Sequence, residues 1–335
     1  MKVLFVSRKK LKSIGGLARF SDGLVLHFLD SSLVLTPENL VGIFKLPFFR
    51  PEIMHLCDAT LLPVGIILKA IFRKPLSLTA HGLDVTYATP IYQRMIKRLL
   101  PKADAVIVDS KALKPIVEKY HVSRQKIHII HPGISIEHLK NSIDLRFPMM
   151  DGNINLLTVG NLVRRKGQRW FIEQVMTKLS PDFNYLIVGD GPERKSIEKL
   201  IRGLKLGGRV HLFGQLNDSC LSYLMKKTDI YVCPNIKEEG NFEGFGIAAG
   251  EAAAMGLPVV ASDVDGISEI IHNEENGWLV EKEPEMFISA IIKLRKQTLR
   301  DSLGRKAKIY TRKNFRWEKT LREYQEVFQE LIYKN

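Results

Sequence analysis

Cysteine is scarce in this sequence of 335 residues. The three cysteines, Cys57, Cys220 and Cys233, are far apart and form no C-x-x-C pair. Disulfide-stapled folds need dense cysteines, and structural zinc sites need paired ones. The sequence therefore excludes both classes and fits a reducing cytoplasm, which is the location we predict.

Long apolar runs are also missing. The longest extends from Ala59 to Phe72 and is interrupted by Lys69, whereas a membrane-spanning helix needs about 20 apolar residues. The opening Met1-Lys-Val-Leu-Phe-Val-Ser has the pattern of a buried strand rather than of a signal peptide. We expect no segment that crosses a membrane, although contact with a membrane surface stays open.

Negative charge is scarce in the first half of the chain. Residues 1–150 contain 22 Lys and Arg against 11 Asp and Glu, whereas residues 151–335 contain 28 against 25. This asymmetry favours an anionic partner for the first half, either a membrane leaflet or an acidic acceptor, and a dispersed solvated surface is the alternative. Nucleic acid is not expected as a partner, because aromatic residues do not interleave with the basic ones. A non-enzymatic polyanion-binding protein is the weakest of the alternatives.

The fingerprint G-x-G-x-x-G does not follow the first strand. Only Gly15-Gly16 occurs there, and no acidic residue is placed to bind a ribose as that motif requires. The sequence therefore argues against a dinucleotide-dependent oxidoreductase.

Short apolar runs alternate with amphipathic helical patterns along the whole chain, which is typical of doubly wound parallel sheets. The alternation starts afresh at Ile154, after a stretch rich in Pro, Gly and Met that reads as a linker. Since the length also exceeds what one core usually serves, we predict two α/β domains at 1–150 and 151–316. A final helix at about 317–335 is expected to pack back on the first domain. Strands are predicted at 2–7, 53–57, 76–79, 105–108, 126–130, 154–159, 185–188, 210–213, 230–233, 258–261 and 278–280.

The segment Glu243-Gly-Phe-Gly-Ile-Ala-Ala-Gly-Glu251 carries the most chemical information. It follows a predicted strand and opens a helix at about Gly246. A helix N-terminus suits a pyrophosphate, and glycines let the backbone approach a ligand closely. Carboxylates at both ends of the segment can accept charge-assisted hydrogen bonds from sugar hydroxyls.

This segment, with Met255-Gly-Leu-Pro-Val-Val-Ala after it, resembles the signature of the retaining glycosyltransferases of family 4, which have the GT-B fold. Further motifs fit the family in order and spacing: Gly15-Gly16, Thr79-Ala-His81-Gly-Leu-Asp84, Val188-Gly-Asp-Gly-Pro192, Asp265-Gly-Ile-Ser-Glu-Ile-Ile271 and Asn276-Gly-Trp-Leu-Val280. The resemblance covers nearly the whole chain. It implies two Rossmann-like domains that face each other across a cleft.

The resemblance also implies how the donor is bound. Glu251 would bind the ribose hydroxyls of a UDP- or GDP-sugar. Glu243 would hold the 3- and 4-hydroxyls of the transferred sugar, and the backbone N–H groups of Phe245, Gly246 and Ile247 would lie nearby. For either glutamate, a purely structural role is the alternative.

A second glycine-bounded turn, Gly160-Asn-Leu-Val-Arg-Arg-Lys-Gly167, lies between a predicted strand and a helix. Fixed cations stabilise the charge that develops on a departing diphosphate, and Lys166 matches the family lysine with that task. Asn161 departs from the family, which commonly has arginine there. Arg164 or Arg165 would substitute, and we favour Arg165 because some relatives have arginine directly before Lys-Gly.

Three first-domain features complete the expected site. His81 follows a strand, and its counterpart in the family contacts the transferred sugar or the phosphates. Asp84 would either contact the acceptor or cap a helix. Gly15-Gly16 would bring backbone close to the diphosphate or the acceptor.

No metal or cofactor is expected. Asp263-Val-Asp265 has the form of an Asp-x-Asp metal motif. It lies at the end of a predicted strand, however, and overlaps the family motif that begins at Asp265. The predicted activity is hexosyl transfer with retention to a hydroxyl of a glycan or glycolipid, in polysaccharide or lipopolysaccharide synthesis. A sugar-nucleotide epimerase with the same two-domain architecture is the main alternative.

Two stretches of the first half bear on the acceptor. Residues 61–75 are apolar and then basic, and residues 91–102 carry four basic residues along an amphipathic pattern. Helices of this type can lie on anionic membranes. Ordinary domain helices with solvated basic faces are the alternative.

Overall fold

The computed structural model describes residues 1–8, 16–28, 32–36, 46, 48–141 and 152–334. All statements below refer to these residues. Gly15 and residues 142–151, which are part of the predicted linker, lie outside them.

Within the described ranges, twelve short strands form two parallel sheets. The six strands of the first sheet are β1 (Val3–Val6), β2 (Ser32–Leu35), β3 (Ile53–Leu56), β4 (Leu76–Ala80), β5 (Ala105–Val108) and β6 (Ile127–Ile129). Those of the second are β7 (Ile154–Val159), β8 (Phe183–Val188), β9 (Val210–Gly214), β10 (Ile230–Cys233), β11 (Val259–Ser262) and β12 (Gly277–Val280).

Helices connect successive strands. They are α1 (Gly16–His27), α2 (Leu62–Phe72), α3 (Leu83–Thr86), α4 (Pro90–Leu99), α5 (Lys114–Glu118), α6 (Gln168–Phe171), α7 (Arg194–Gly203), α8 (Asp218–Lys226), α9 (Ile247–Met255), α10 (Ile267–Ile270), α11 (Pro284–Lys293), α12 (Gln297–Asn314) and α13 (Trp317–Tyr333). A π-helical turn, Ile172–Met176, continues α6. In the described ranges, no helix combines the length and the apolar character needed to cross a bilayer.

The strand orders confirm the predicted fold class, two doubly wound α/β sheets. The first sheet has the order β2-β1-β3-β4-β5-β6, and the second has the order β12-β11-β10-β7-β8-β9. The order reverses between β1 and β3 in the first sheet and between β7 and β10 in the second. Ligands of such sheets bind at the carboxyl ends of the strands where this reversal occurs.

The chain divides into two compact units. Unit 1 comprises Met1–Gly133, Glu239–Phe245 and Trp317–Asn335, and unit 2 comprises Ile134–Glu238 and Gly246–Arg316. The sequence-based boundary at 150/151 falls among residues 142–151, which lie outside the described ones, and it stays a prediction. The segment Glu239–Phe245, which carries Glu243, has its contacts in unit 1.

The C-terminal helix α13 packs in unit 1. The Tyr324 hydroxyl lies 2.7 Å from the Thr79 Oγ1 atom of β4, and the Phe328 ring lies 6.4 Å from the ring of Phe5 in β1. Trp317, at the start of the helix, stacks on Phe20 with ring centroids 5.6 Å apart. This helix therefore covers one face of the first sheet.

Two local predictions differ from the structure. The sequence pattern of residues 111–120 predicts one helix, but these residues form a 3-10 turn followed by the five-residue helix α5, because Pro115 lacks the N–H that a continuous helix would use there. The sequence analysis also missed β2, a short half-buried strand at the edge of the sheet.

Candidate functional site

In unit 1, the turn after β4 carries His81. Its Nδ1 atom lies 2.6 Å from Asp109 Oδ2 at the end of β5, and its Nε2 atom lies 3.0 Å from the carbonyl oxygen of Cys57 at the end of β3. Both ring nitrogens therefore face oxygen atoms of the protein. The three strand ends are neighbours because β3, β4 and β5 are adjacent in the sheet.

Carboxylates surround the His81 ring and control its pKa. Burial alone would lower the pKa, but the charge and hydrogen bond of Asp109, with the charges of Asp84 and Asp58, raise the pKa of His81 to about 9. The pKa of His55, a buried residue of β3, is shifted in the opposite direction. Burial and the nearby His81 lower the pKa of His55 to about 3.

Asp84 joins two of these turns. Its Oδ1 atom accepts the backbone N–H of His81 at 2.8 Å, and its Oδ2 atom accepts the backbone N–H of Ala59 at 2.9 Å. Burial and the neighbouring Asp58 raise the pKa of Asp84 to about 6. Both carboxylate oxygens thus hold the backbone of unit 1, and contact with an acceptor stays a prediction.

The switch point of the first sheet is marked by an ion pair. Arg8, two residues beyond β1, places its Nη2 atom 3.1 Å from Asp58 Oδ2, two residues beyond β3. The Asp58 Oδ1 atom also accepts the backbone N–H of Thr60 and so caps a 3-10 turn. Gly16 is the first residue of α1, whereas Gly15 lies outside the described residues.

The Glu243 segment packs on the His81 turn. Glu243 forms an isolated antiparallel bridge with Gly82. A Cβ atom on Gly244 would lie 2.3 Å from the His81 carbonyl oxygen and 3.5 Å from Asp109 Oδ2, so only glycine fits there. Phe245 stacks on His131 with ring centroids 5.3 Å apart. The carboxylate-bearing segment and the histidine turn are therefore one packed structure.

In unit 2, two turns meet at the switch point of the second sheet. The backbone N–H of Ile236, after β10, donates to the carbonyl oxygen of Arg165, after β7, at 2.7 Å. A Cβ atom on Gly167 would lie 1.7 Å from the carbonyl oxygen of Pro234. This close approach explains why glycine ends the basic turn.

The basic residues of the first turn differ in their surroundings. Lys166 lies along Gly160, because its Cε and Nζ atoms are 3.4 and 3.8 Å from where a Cβ of residue 160 would be. Arg165 is half-buried, whereas Arg164 is exposed and lies 3.8 Å from Glu238. Such an exposed pair contributes little. The preference for Arg165 over Arg164 stays a prediction.

The helix α9 brings Glu251 to the same end of the second sheet. Its cap residue, Gly246, has φ +87° and ψ 44°, a left-handed conformation that favours glycine. Ile247 is the first residue of the helix, and its N-terminus carries a partial positive charge. Gly250 packs so closely on Ile134 that a Cβ would lie 2.8 Å from the Ile134 Cδ1 atom.

Glu251 is buried, and its Oε1 atom lies 3.4 Å from the Nε2 atom of His138. Its charge also reaches Tyr231 in β10, whose pKa is raised chiefly by burial and further by the charges of Cys233 and Glu251. The Tyr231 hydroxyl in turn donates to the carbonyl oxygen of Val159 at the end of β7. Glu251 therefore lies near the carboxyl ends of the two switch-point strands.

The structure thus gathers the predicted residues into two sets. His81, Asp84, Glu243 and Phe245 belong to unit 1, and Gly160, Arg165, Lys166, Gly246, Ile247 and Glu251 belong to unit 2. Sequence reasoning missed Asp109 and His138. Asp109 directly follows a predicted strand, which is a signal that could have identified it, whereas His138 lies in a 3-10 turn without such a signal.

Two family models match the chain. The model described as glycosyl transferases group 1 matches residues 147–310, and the model described as glycosyltransferase family 4 matches residues 23–138. Together they span most of both units.

Two curated relatives agree with these matches. An uncharacterized glycosyltransferase of Methanocaldococcus jannaschii is 30% identical over 272 residues, which are 80% of this chain and 72% of the relative. An amylovoran biosynthesis glycosyltransferase of Erwinia amylovora is 26% identical over 217 residues, which are 63% of this chain and 53% of the relative.

A solved structure has the same fold. The crystal structure of HepE from Anabaena in complex with UDP-glucose aligns with a TM-score of 0.83 and 20% sequence identity, and the alignment covers 99% of this chain and all of the other.

Proposed function

We propose that this chain, which belongs to the group 1 glycosyltransferases of the family 4 type and has their GT-B fold, transfers a hexose with retention from a UDP- or GDP-sugar to a hydroxyl of a glycan or glycolipid. The relative from Erwinia amylovora makes polysaccharide synthesis the favoured setting, with lipopolysaccharide as the related case. HepE binds UDP-glucose on the same fold, which supports a nucleotide sugar as donor.

One observation carries the proposal. In unit 2, the Lys166 turn and the Glu251 helix follow β7 and β10, the two strands between which the sheet order reverses. A dinucleotide or nucleotide sugar binds at this position in doubly wound sheets. A cationic turn, a helix N-terminus and a buried carboxylate are the groups that a diphosphate and a ribose require.

In the proposed mechanism, Glu251 accepts hydrogen bonds from the ribose hydroxyls, and Glu243 accepts them from the 3- and 4-hydroxyls of the sugar. As the bond from the anomeric carbon to the diphosphate breaks, Lys166, Arg165 and the N-terminus of α9 balance the growing negative charge. The acceptor hydroxyl attacks from the side of the leaving group and passes its proton to the departing phosphate. These cations carry the charge without a metal ion.

Transfer with EDTA present is the direct test of this mechanism. We expect incubation with radiolabelled UDP- and GDP-hexoses and octyl glucoside or octyl galactoside to give a labelled octyl disaccharide whose linkage has the anomeric configuration of the donor. The measurement is chromatography of the product followed by NMR of the anomeric proton.

Three results would contradict the proposal: turnover of no donor, strict dependence on Mn²⁺, or inversion at the anomeric carbon. An epimerase would instead convert the donor or release its nucleotide without any acceptor. Thermal shift with each nucleotide sugar provides a control that needs no acceptor, since a ligand at about 100 times its Kd stabilises the fold by about 2.7 kcal/mol.

A surface of unit 1 fits the proposed glycolipid acceptor. The helix α2 packs against α4, and Ile67 and Ile71 on α2 and Ile91 on α4 are 60%, 65% and 83% exposed. Exposed basic residues accompany these side chains: Arg73, Lys74, Arg94, Lys97 and Arg98. We call these residues of α2, of α4 and of the segment directly after α2 the basic apolar face. Apolar side chains flanked by cations match an anionic bilayer, which offers hydrocarbon and negative headgroups together.

We expect the protein to sediment with vesicles that contain about one-third phosphatidylglycerol and to remain in solution with pure phosphatidylcholine, since each basic residue near an anionic surface contributes about 1 kcal/mol. The double variant Ile67→Glu, Ile71→Glu should lose most of this binding. Ile309→Glu replaces an equally exposed isoleucine of α12 in unit 2 and should bind as the wild type does. Equal vesicle binding by both variants, or binding to vesicles without anionic lipid, would argue against membrane docking through the basic apolar face.

A further inference from the structure

Both nitrogens of the His81 ring contact oxygen atoms of the protein, and an aromatic side chain packs against the ring. The Nδ1 and Nε2 atoms contact Asp109 Oδ2 and the Cys57 carbonyl oxygen, and the edge of Phe20 lies against the ring with centroids 5.5 Å apart. The side chains of His81 and Asp109 are only 10% and 5% exposed. Water therefore has little access to either nitrogen.

The chemistry of these two contacts determines which ring nitrogens of His81 carry a hydrogen. A carbonyl oxygen only accepts, so Nε2 must carry a hydrogen to bond Cys57. A neutral ring with that hydrogen would then turn the bare lone pair of Nδ1 toward Asp109. This is favourable only if Asp109 itself is protonated, whereas an ionised Asp109 requires a second ring hydrogen.

The other charges near the ring favour the imidazolium, in which both ring nitrogens of His81 carry a hydrogen and Asp109 is ionised. Asp84 holds the His81 backbone N–H and raises the pKa of the ring, as does Asp58. The opposing groups are His55, a second imidazole whose own pKa is lowered, and Cys57, whose thiol pKa is raised to about 12 chiefly by burial. Both of these groups are neutral near pH 7. Three carboxylates thus surround the His81 ring, and one of them, Asp58, also pairs with Arg8.

Asp109 also needs this positive charge. Its Oδ1 atom is buried and has no hydrogen-bond partner among the described residues. An ionised carboxylate in that state is costly unless a cation pairs with it directly. The contact at 2.6 Å with His81 Nδ1 is the pairing that the structure provides.

We propose that Asp109 is a positioning residue that keeps His81 an imidazolium, so that His81 acts in transfer as a fixed cation and not as a general acid or base. This role deepens the proposed function and rests on it only for the part concerning transfer. The backbone of the same turn holds the Glu243 segment, through the packing of Gly244 on the His81 carbonyl oxygen and the bridge between Gly82 and Glu243.

The first test is the titration of His81 by NMR in the protein without substrate, with ring nitrogens labelled and His81→Gln used for assignment. We expect imidazolium shifts at neutral pH and loss of the second proton only as the pH rises to about 9. An ordinary titration near the pKa of a free histidine would overturn the proposal. This test does not depend on the donor, so it succeeds or fails separately from the proposed function.

The second test compares Asp109→Asn with Asp104→Asn. Asp109→Asn should lower the proton affinity of His81 at least about 10-fold and move the alkaline limb of the pH profile of kcat to lower pH. Asp104 accepts the backbone N–H of Leu76 and pairs with Lys69 at the other end of β4, so its variant should leave both unchanged. An unaltered His81 titration in Asp109→Asn, or equal shifts in both variants, would reject the positioning role. If Asp109→Asn fails to fold, the wild-type titration alone decides.

Discussion

Replacing Lys166 with methionine is expected to lower kcat by about 100- to 1,000-fold, the range found when one group that stabilises a developing charge is removed. Methionine keeps a similar unbranched stem, so the packing beside Gly160 should be retained. The donor KM should change much less than kcat, because the lost interaction grows as the leaving diphosphate gains charge.

Steady-state kinetics with the donor identified by the EDTA assay measure this effect. Lys178→Met is the matched control, since Lys178 is an exposed lysine that pairs with Glu285 in the same unit. We expect it to keep kcat within about twofold, since exposed ion pairs contribute little. If Lys166→Met also keeps its kcat, the lysine does not stabilise the leaving group and the cationic role moves to Arg165.

Replacing Gly167 with alanine is expected to have the largest effect on stability. Gly167 has φ +71°, which already disfavours a side chain. The new Cβ atom would also lie 1.7 Å from the Pro234 carbonyl oxygen and 2.8 Å from its carbonyl carbon, both of which belong to the backbone. Since no side chain can rotate away, the loop after β10 must move, and we expect a loss of about 3 kcal/mol or more in the free energy of unfolding.

The movement should also weaken donor binding, because the loop after β10 leads into Gly246 and α9. Urea unfolding followed by circular dichroism, together with thermal shift on UDP addition, measures both effects. Gly207→Ala is the control, because a Cβ there would meet open space. This variant should change the free energy of unfolding by less than about 0.5 kcal/mol. A Gly167→Ala protein as stable as the control would mean that the two turns are not packed as described.

Much of the fold could be predicted from local patterns. The strands at 105–108, 154–159 and 230–233 were predicted to the residue, and the C-terminal helix expected at about 317–335 forms Trp317–Tyr333. Buried parallel strands read as short apolar runs, and those runs depend only on neighbouring residues in the chain. The edge strand β2 was missed although it contains the apolar run Leu33–Leu35, because its pairing with β1 is a contact between residues distant in sequence. The region 111–120 is divided because Pro115 interrupts the helix.

The candidate site was predictable in part. Glu251, Lys166, Gly246 and Ile247 follow strands in motifs that the family resemblance identifies, and each lies in the turn or helix expected for it. The donor-binding roles of these residues stay predictions. The contacts of Asp109 and His138 were not predictable, because each depends on a partner distant in sequence: His81 for Asp109, and Glu251 for His138.

The sequence by itself determined the two-sheet architecture, the strand-to-helix turns that carry the motifs and the family to which the chain belongs. These properties follow from local apolar periodicity and from the order of short motifs. Only the tertiary structure decided that the Glu243 segment packs with the His81 turn, and that three carboxylates enclose one imidazole. The reason is that the order of strands within a sheet selects which loops become neighbours, and this order is set by packing across the whole domain.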